Sequence, residues 1–394
     1  MNHLPSSNSY EVVIIGSGPA GASAALCLAS AGVKVVVLEK ASLPRYKTCG
    51  GGVVQRATRL LPLSIQDAVE RDCCVAEMNL LDTGLHFETR RRDPIISMTM
   101  REKFDYLLPS AAKEAGAYIQ PFCKVSDVFP HSERVELLTS TGPLSARFVI
   151  AADGAISTVA RKTNWPDNRR LIPALEYEVF VVDNLFEQFA RSARFDIGAV
   201  PYGYGWVFPK KEHLSIGVLT MRGGSTNLNE RFGSYLRLLG IASVLRMECH
   251  GSLIPVTTRS APFAIGRILL AGDAAGFVDP VTCEGITFAI QSGQIAARSL
   301  VDGNLRVEAV SHAYDVEIAA KILPELNIAR RLATILYAYP KLSVLFFRLY
   351  GHRFSEAITD IMTGDRTYRG VISNPTNYFK LLKLWGGHSR KDSR

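Results

Sequence analysis

The chain has too little cysteine for a disulfide framework. Its 394 residues hold seven, an odd number: Cys27, Cys49, Cys73, Cys74, Cys123, Cys249 and Cys283. None stands in a Cys-x-x-Cys pair, which removes the usual signal for structural zinc, and no other metal-ligand cluster or Ser-His-Asp arrangement is evident. Long hydrophobic runs are also missing. The most apolar late stretch, residues 332–350, is interrupted by Pro340, Lys341 and Arg348 and falls short of a membrane span. The first ten residues, MNHLPSSNSY, lack the basic start and apolar core of a signal peptide. These absences predict a reduced, cytoplasmic protein. No fixed period recurs, so solenoids and propellers lose their support. Compositional bias is absent too: 47% of residues are hydrophobic, 21% are charged, and the 31 Gly and 19 Pro are scattered. Disordered and collagen-like scaffolds are thereby excluded.

The net charge of +8 is one-sided. Residues 321–394 hold 13 Lys/Arg against five Asp/Glu, whereas the first 320 residues balance at 32 of each. A basic end suits a phosphorylated substrate or an anionic membrane surface, or is simply a solvated helix face. Nucleic acid is not expected as a partner, because no nucleic-acid-binding motif accompanies the charge.

The opening stretch carries the strongest signal. Glu11-Val-Val-Ile-Ile15 is a β-branched run suited to a strand buried on both faces. Gly16-Ser-Gly18-Pro19-Ala20-Gly21 follows at once, then an Ala- and Leu-rich helix to Ala31, Gly32, and a second strand, Val33 to Leu38. This is a βαβ unit with its glycines at the first turn. Gly16 permits the tight turn, Gly18 lets backbone approach a pyrophosphate, and Gly21 lets helix and strand pack closely. The helix N-terminus offers unpaired N–H groups and a positive dipole end to phosphate. Glu39, 18 residues beyond Gly21, is placed to accept from a ribose hydroxyl, with Lys40 beside it.

Further along, residues 94–100 read as a strand leading into a helix from Arg101 to about Gly116. Strands at 134–139 and 144–152 flank a Thr141-Gly-Pro143 turn, and the second ends at Asp153-Gly154. Residues 174–221 read as four antiparallel strands. A strand at 267–271 then runs into Gly272-Asp273, a helix spans Glu284 to Asp302, and the remainder is mostly helical.

Taken in this order, Gly16-x-Gly18-x-x-Gly21, Asp153-Gly154 and Gly272-Asp273 resemble the flavoprotein hydroxylase superfamily with the p-hydroxybenzoate hydroxylase type of FAD fold. Four finer features resemble the geranylgeranyl reductase family. They are Leu43-Pro-Arg-Tyr-Lys-Thr-Cys-Gly-Gly-Gly52, Arg101 with Phe104-Asp105, Tyr204-Gly-Trp-Val-Phe-Pro209, and Gly272-Asp-Ala-Ala-Gly276 with Pro280 and Glu284-Gly285-Ile286. The resemblance covers about residues 10 to 370. It implies an α/β (α+β overall) fold: a Rossmann-like FAD-binding domain (1–80, 101–165, 259–310) interrupted by an antiparallel-sheet substrate domain (81–100, 166–258), with a helical, basic C-terminal region (311–394).

The resemblance also assigns roles. Asp273 would accept from a ribityl hydroxyl, and the helix start at Gly285-Ile286 would stabilise negative charge on the reduced flavin. Arg101 and Arg45 would hold the phosphate and ribityl region. The backbone at Val125 would meet adenine, and Asp153-Gly154 would close around the nucleotide half. Cys49, before Gly50, is either a proton donor beside the reactive face or a small packing residue. Tyr204, Trp206 and Phe208 alternate, so they share one strand face; they form either a wall of a long apolar tunnel or ordinary sheet core. Lys210-Lys211 beyond them would meet an anionic head group or end the strand in solvent. Cys283 stands where the family commonly has Gly, which would narrow the approach to the flavin. The implied activity is FAD-dependent saturation of double bonds in a polyprenyl chain: prenyl diphosphate, lipid, pigment precursor or quinone tail. NADPH or a ferredoxin-type protein would supply electrons. The amphiphilic stretch 378–385 offers peripheral contact with an anionic membrane, or packs on the protein. The competing class is a flavin monooxygenase or halogenase, against which the Tyr and Phe of Tyr204-Gly-Trp-Val-Phe-Pro209 count. A flavin-carrying binding protein is the non-enzyme alternative.

Overall fold

A computed structural model describes residues 9–81, 83–222 and 226–373. The first strand, β1 (Ser9–Ile15), is central because its side chains are apolar on both faces: Val12, Val13 and Ile14 are fully buried. It pairs in parallel with β2 (Val35–Leu38) on one side and with Gly142–Ala151 on the other. Ile268–Leu270, with Ala264–Ile265 beyond it, and Tyr118–Gln120 extend this sheet, and the hairpin strands Val125–Pro130 and Val135–Thr139 complete its eight members. The crossover from β1 to β2 is α1 (Pro19–Ser30), so rich in Ala and other small residues that a neighbouring helix lies almost on its backbone. That neighbour is α3 (Ile286–Asp302). A Cβ at Gly293 would stand 2.1 Å from the Ala20 carbonyl oxygen, so only glycine permits the crossing. Between them in sequence lies α2 (Arg101–Glu114), which also packs on α1.

The second sheet has seven strands. Their order is Arg246–Pro255, β3 (Leu171–Phe180), β5 (Leu214–Thr220), β4 (Gly203–Pro209), Ala193–Ile197, Val75–Leu80 and Leu85–Arg90. All neighbours run antiparallel except Ala193–Ile197 with Val75–Leu80. Two boundaries expected from sequence are corrected by these pairings. Val75–Leu80 belongs with the antiparallel sheet and not with the cofactor domain, because it hydrogen-bonds to Ala193–Ile197 from Ala76 to Leu80. Ile96–Thr99 instead pairs with Gly52–Val54 and Val69–Cys73 in a small third sheet beneath the cofactor domain. Arg246–Pro255 escaped the sequence reading because it is an exposed, polar edge strand with little apolar alternation.

The described residues after 302 are mostly helical, including α4 (Leu323–Ala338) and α5 (Pro340–Thr363), which meet at a 109° bend. They close over the end of the antiparallel sheet, where Phe347 and Phe354 pack with Phe87 and Tyr337 with Tyr204. The amphiphilic stretch 378–385 lies outside the described residues.

Candidate active site

The glycine turn is built as its spacing predicts. Gly16 adopts φ +101°, and a Cβ there would stand 2.3 Å from the Ala152 oxygen; at Gly21 it would stand 1.9 Å from the Gly16 oxygen. Gly18 caps α1 without a side-chain hydrogen bond, and the first turn carries no acid. Its amides therefore remain available to an anion at the positive end of the helix. Glu39 is buried and accepts from the Ser17 N–H (3.1 Å), the Ser17 hydroxyl (2.7 Å) and the Ala41 N–H (3.1 Å). Burial works to raise its pKa, but Arg45, at 3.3 Å, and these hydrogen bonds together hold it below the usual carboxylate range.

Arg45 also lies 3.4 Å from Asp105, which is the bidentate partner of buried Arg101 (2.7 and 2.8 Å). Burial opposes the Arg101 charge; Asp105 and a hydrogen bond to the Cys49 sulfur outweigh it, so the guanidinium stays charged. One cation is thus fixed between the glycine turn and the Cys49 loop.

The glycine turn, Arg101 and the Cys49 loop border a cleft. It gathers Gly18, Pro19, Ala20, Cys49, Gly50, Arg101, Gly154, Tyr204, Trp206, Phe208, Asp273, Gly285 and Ile286 from distant parts of the chain. Gly16, Gly21 and Gly272 support it from behind, Gly272 (φ +58°) letting the 272–274 turn approach Ala20. The Asp273 carboxylate makes no hydrogen bond among the described residues, and one of its oxygens lies 3.3 Å from where a Gly285 Cβ would be. An acceptor so placed, beside the start of α3, is what a sugar-alcohol chain needs. Trp206 Nε1 is likewise buried without a partner, leaving a donor on the opposite wall. The uncapped glycine turn, the free carboxylate and the buried guanidinium fit a flavin dinucleotide.

Other expected positions fall outside this lining. Glu39, Lys40 and Arg45 lie toward the nucleotide end; Lys40 is exposed. Val125 is buried in the main core, two residues from Cys123, whose N–H donates to the Glu39 carbonyl. Asp153 has its Oδ1 buried without a hydrogen-bond partner among the described residues. Its Oδ2 accepts from the Thr158 and Val159 N–H groups (2.7 and 3.1 Å), so it anchors the turn into the next helix. Ala152 and Gly154, on either side of it, line the cleft. Glu284 accepts from the Thr287 N–H and pairs with Arg56 at 3.0 Å, so it serves the start of α3. Cys283 adopts φ +56°, a conformation suited to glycine, and lines the cleft; burial pushes its thiol up to about 12, so it stays neutral.

The Cys49-Gly-Gly-Gly52 loop is pressed against the aromatic row. A Cβ at Gly50 would stand 2.8 Å from Trp206 Nε1 and 3.0 Å from Phe208, and the Trp206 indole lies over Gly217. Lys210 corrects its sequence assignment. It is almost fully buried, and its Nζ donates to the carbonyls of Gly50 (2.6 Å) and Thr99 (3.0 Å), pinning the loop rather than meeting solvent or a head group. Burial lowers its pKa, and Glu178 and Glu176 work against that shift.

Those two glutamates were missed from sequence. Glu176 accepts from the Cys49 N–H (3.0 Å), the Tyr46 hydroxyl (3.1 Å) and the Ser215 hydroxyl (2.8 Å), while Glu178 pairs with His213 at 2.8 Å. Two carboxylates at i and i+2 in an apolar strand share a face, and that pattern in β3 was the available signal. Burial, with Glu178 adding to it, pushes Glu176 up to about 7. Between the ordinary carboxylate range near 4.5 and that value, the folded chain keeps a proton that the unfolded chain has released. Stability therefore falls as pH rises through this window, by an expected 1–3 kcal/mol or about that. Glu176→Gln, which cannot titrate, should flatten that slope in urea unfolding curves at pH 5 and about 7.5. An unchanged slope would show that Glu176 does not carry the dependence.

Comparison with known proteins agrees with the geometry. Residues 9–193 match the FAD binding domain family. A chloroplastic geranylgeranyl diphosphate reductase of Oryza sativa subsp. japonica is 30% identical over 327 residues, spanning 76% of this chain and 68% of the relative. Digeranylgeranylglycerophospholipid reductase 1 of Methanopyrus kandleri is 30% identical over 323 residues, 76% of this chain and 81% of that protein. Among solved structures, a geranylgeranyl bacteriochlorophyll reductase-like protein of Thermoplasma acidophilum shares the fold, with TM-score 0.76 at 22% identity over 86% of this chain and 90% of its own. The cofactor is FAD, and the chain belongs to the geranylgeranyl reductase family of FAD-dependent oxidoreductases.

Proposed function

We propose that the protein reduces carbon–carbon double bonds of a geranylgeranyl or longer polyprenyl chain on a polar head: a diphosphate, a lipid, a pigment precursor or a quinone. The shape of the apolar space supports this most. Tyr204, Trp206 and Phe208 oppose the glycine loop in the first cleft, and Phe195, Tyr204, Thr282 and Met362 border both that cleft and a second cavity. The second cavity, lined by Met78, Ile197, Leu336, Tyr337 and Phe354, carries the apolar surface onward beneath α4 and α5. A compact aromatic substrate has no use for that extension; a flexible isoprenoid does. Relatives named for reduction of geranylgeranyl diphosphate and of a digeranylgeranyl lipid favour the same substrate class.

Bound FAD, once reduced, supplies the hydride, and we assign its electrons to NADPH or a ferredoxin-type protein. The chain's own residues do the rest. An isolated alkene has no carbonyl to absorb charge, so the aromatic row must hold the chain in register and exclude water. We assign the proton to Cys49 Sγ, held against the cleft by Arg101 and by the Glu176 bond to its backbone.

Anaerobic reaction of the dithionite-reduced enzyme with geranylgeranyl diphosphate or a geranylgeranyl lipid tests this. Flavin reoxidation with two hydrogens gained per double bond, by mass spectrometry, is expected. Flavin that stays reduced without air, with substrate gaining oxygen only in air, would establish the monooxygenase class instead.

A further inference from the structure

The outer surface of the α4–α5 corner carries a run of exposed apolar side chains. Ile335, Tyr339, Leu342, Leu345 and Leu349 are 39%, 57%, 50%, 53% and 63% exposed. Leu342, Leu345 and Leu349 fall at i, i+3 and i+7, so they form one ridge along α5, and Ile335 and Tyr339 carry it around the bend. Large apolar side chains gathered in this way are uncommon on a surface that faces only water. The charge around them has one sign. Between Glu325 and Glu356 there is no acidic residue, while Arg330, Arg331, Lys341, Arg348 and Arg353 are all exposed. No ion pair engages any of these five among the described residues.

We infer that the α4–α5 corner is a docking surface for an anionic lipid bilayer, with the leucine ridge in the acyl boundary and the cations against headgroups. An apolar stripe flanked by basic residues is the pattern of an interfacial helix, and Tyr339 at the corner has the amphipathic character favoured at headgroup depth. The charge selects this occupant over the others. A second copy would bring ten like charges together at one interface. The chain's own last residues are also basic, with Lys380, Lys383, Arg390, Lys391 and Arg394 against Asp392. Anionic lipid is the complementary partner.

The inner faces of the same two helices connect the surface to the site. Leu336 and Tyr337 of α4 and Phe354, Ile358 and Met362 of α5 line the second cavity, which adjoins the cleft at Tyr204 and Met362. An amphiphile leaving the bilayer at this corner has only the thickness of these helices between itself and that cavity. The delivery of substrate rests on the prenyl reading above; the docking surface does not.

The test is co-sedimentation of the FAD-loaded, full-length protein with vesicles. Phosphatidylcholine vesicles with about 30 mol% phosphatidylglycerol at about 50 mM salt should bind it, with much less binding to pure phosphatidylcholine or at about 500 mM salt. Leu342→Glu/Leu345→Glu/Leu349→Glu, and the milder triple change to Ser, should each reduce binding about tenfold or more. Both should keep the flavin spectrum and melting temperature of the parent. Lys341→Glu/Arg348→Glu should lose mainly the salt-sensitive part, again by about tenfold or more. Triple variants that bind like the parent would overturn the inference. So would loss of binding on truncation after residue 373 with the triple variants unaffected. A parent that ignores vesicles and dimerises through this ridge, with monomeric triple variants, would assign the surface to a second copy. Vesicle binding without anaerobic prenyl reduction would leave the docking surface standing and remove only the substrate reading.

Discussion

Asp105→Ala is expected to lower stability by about 3–5 kcal/mol and to release FAD, because it strands a buried charge. Arg101 is 5% exposed and Asp105 only 1%. Their two parallel bonds satisfy both nitrogens that face the carboxylate, and Arg45 approaches the same carboxylate from the glycine-turn side. With alanine, Arg101 keeps its charge in a low-dielectric site and loses the carboxylate that most offsets its burial. Breaking one partner of such a pair costs far more than the pair contributes, since the desolvation of the survivor is no longer offset. Asp105→Asn should cost less, because the amide oxygen still accepts one bond. Urea unfolding monitored with flavin absorbance measures both effects together. A change below about 1 kcal/mol would mean that water or Arg45 rearranges into the gap, and that the pair is not what holds the region.

The second large effect is on turnover. Cys49→Ala should slow product formation by about 10²–10⁴-fold, the range removed with a positioned general acid. FAD content and the rate of flavin reduction by dithionite should stay within about twofold of the parent, because the loop remains pinned at its backbone by Lys210 and Glu176. Cys49→Ser should recover part of the loss, its hydroxyl being a weaker acid in the same position. Single-turnover reduction of a geranylgeranyl substrate with mass detection separates these cases. Turnover of Cys49→Ala near the parent would make Cys49 a packing residue, the other role its sequence context allows.

Local chemistry explains why the cofactor half was legible in advance. Gly16 and Gly21 are needed because a Cβ would strike backbone within a six-residue turn, and Gly272 because a nearby turn requires φ +58°. Such constraints act over a few positions, so their spacing survives in the sequence as a pattern. The same holds for Tyr204, Trp206 and Phe208, whose alternation places them on one face of a strand. All three border the cleft, and Gly50 leaves room for them.

The polar cluster behind Cys49 was not legible, and its make-up shows why. Glu176 meets Tyr46 and Cys49 across about 130 positions of sequence, and Ser215 through the neighbouring strand. Lys210 looked like the solvent end of a strand because nothing near it in sequence reveals that the Gly50 and Thr99 carbonyls converge on its ammonium. Asp153 shows the opposite case, a side chain whose Oδ2 serves its own local turn while its neighbour Gly154 lines the cleft.

By itself the sequence determined the βαβ nucleotide turn, the alternation of the antiparallel sheet, the helical end and the family, because these depend on short-range sterics and periodicity. Only the tertiary structure decided which strands share a sheet, where buried charges find partners, and which face of the α4–α5 corner is left uncovered. Those outcomes depend on contacts between residues a hundred or more positions apart, where hydrogen bonding and desolvation act on groups that no local pattern brings together.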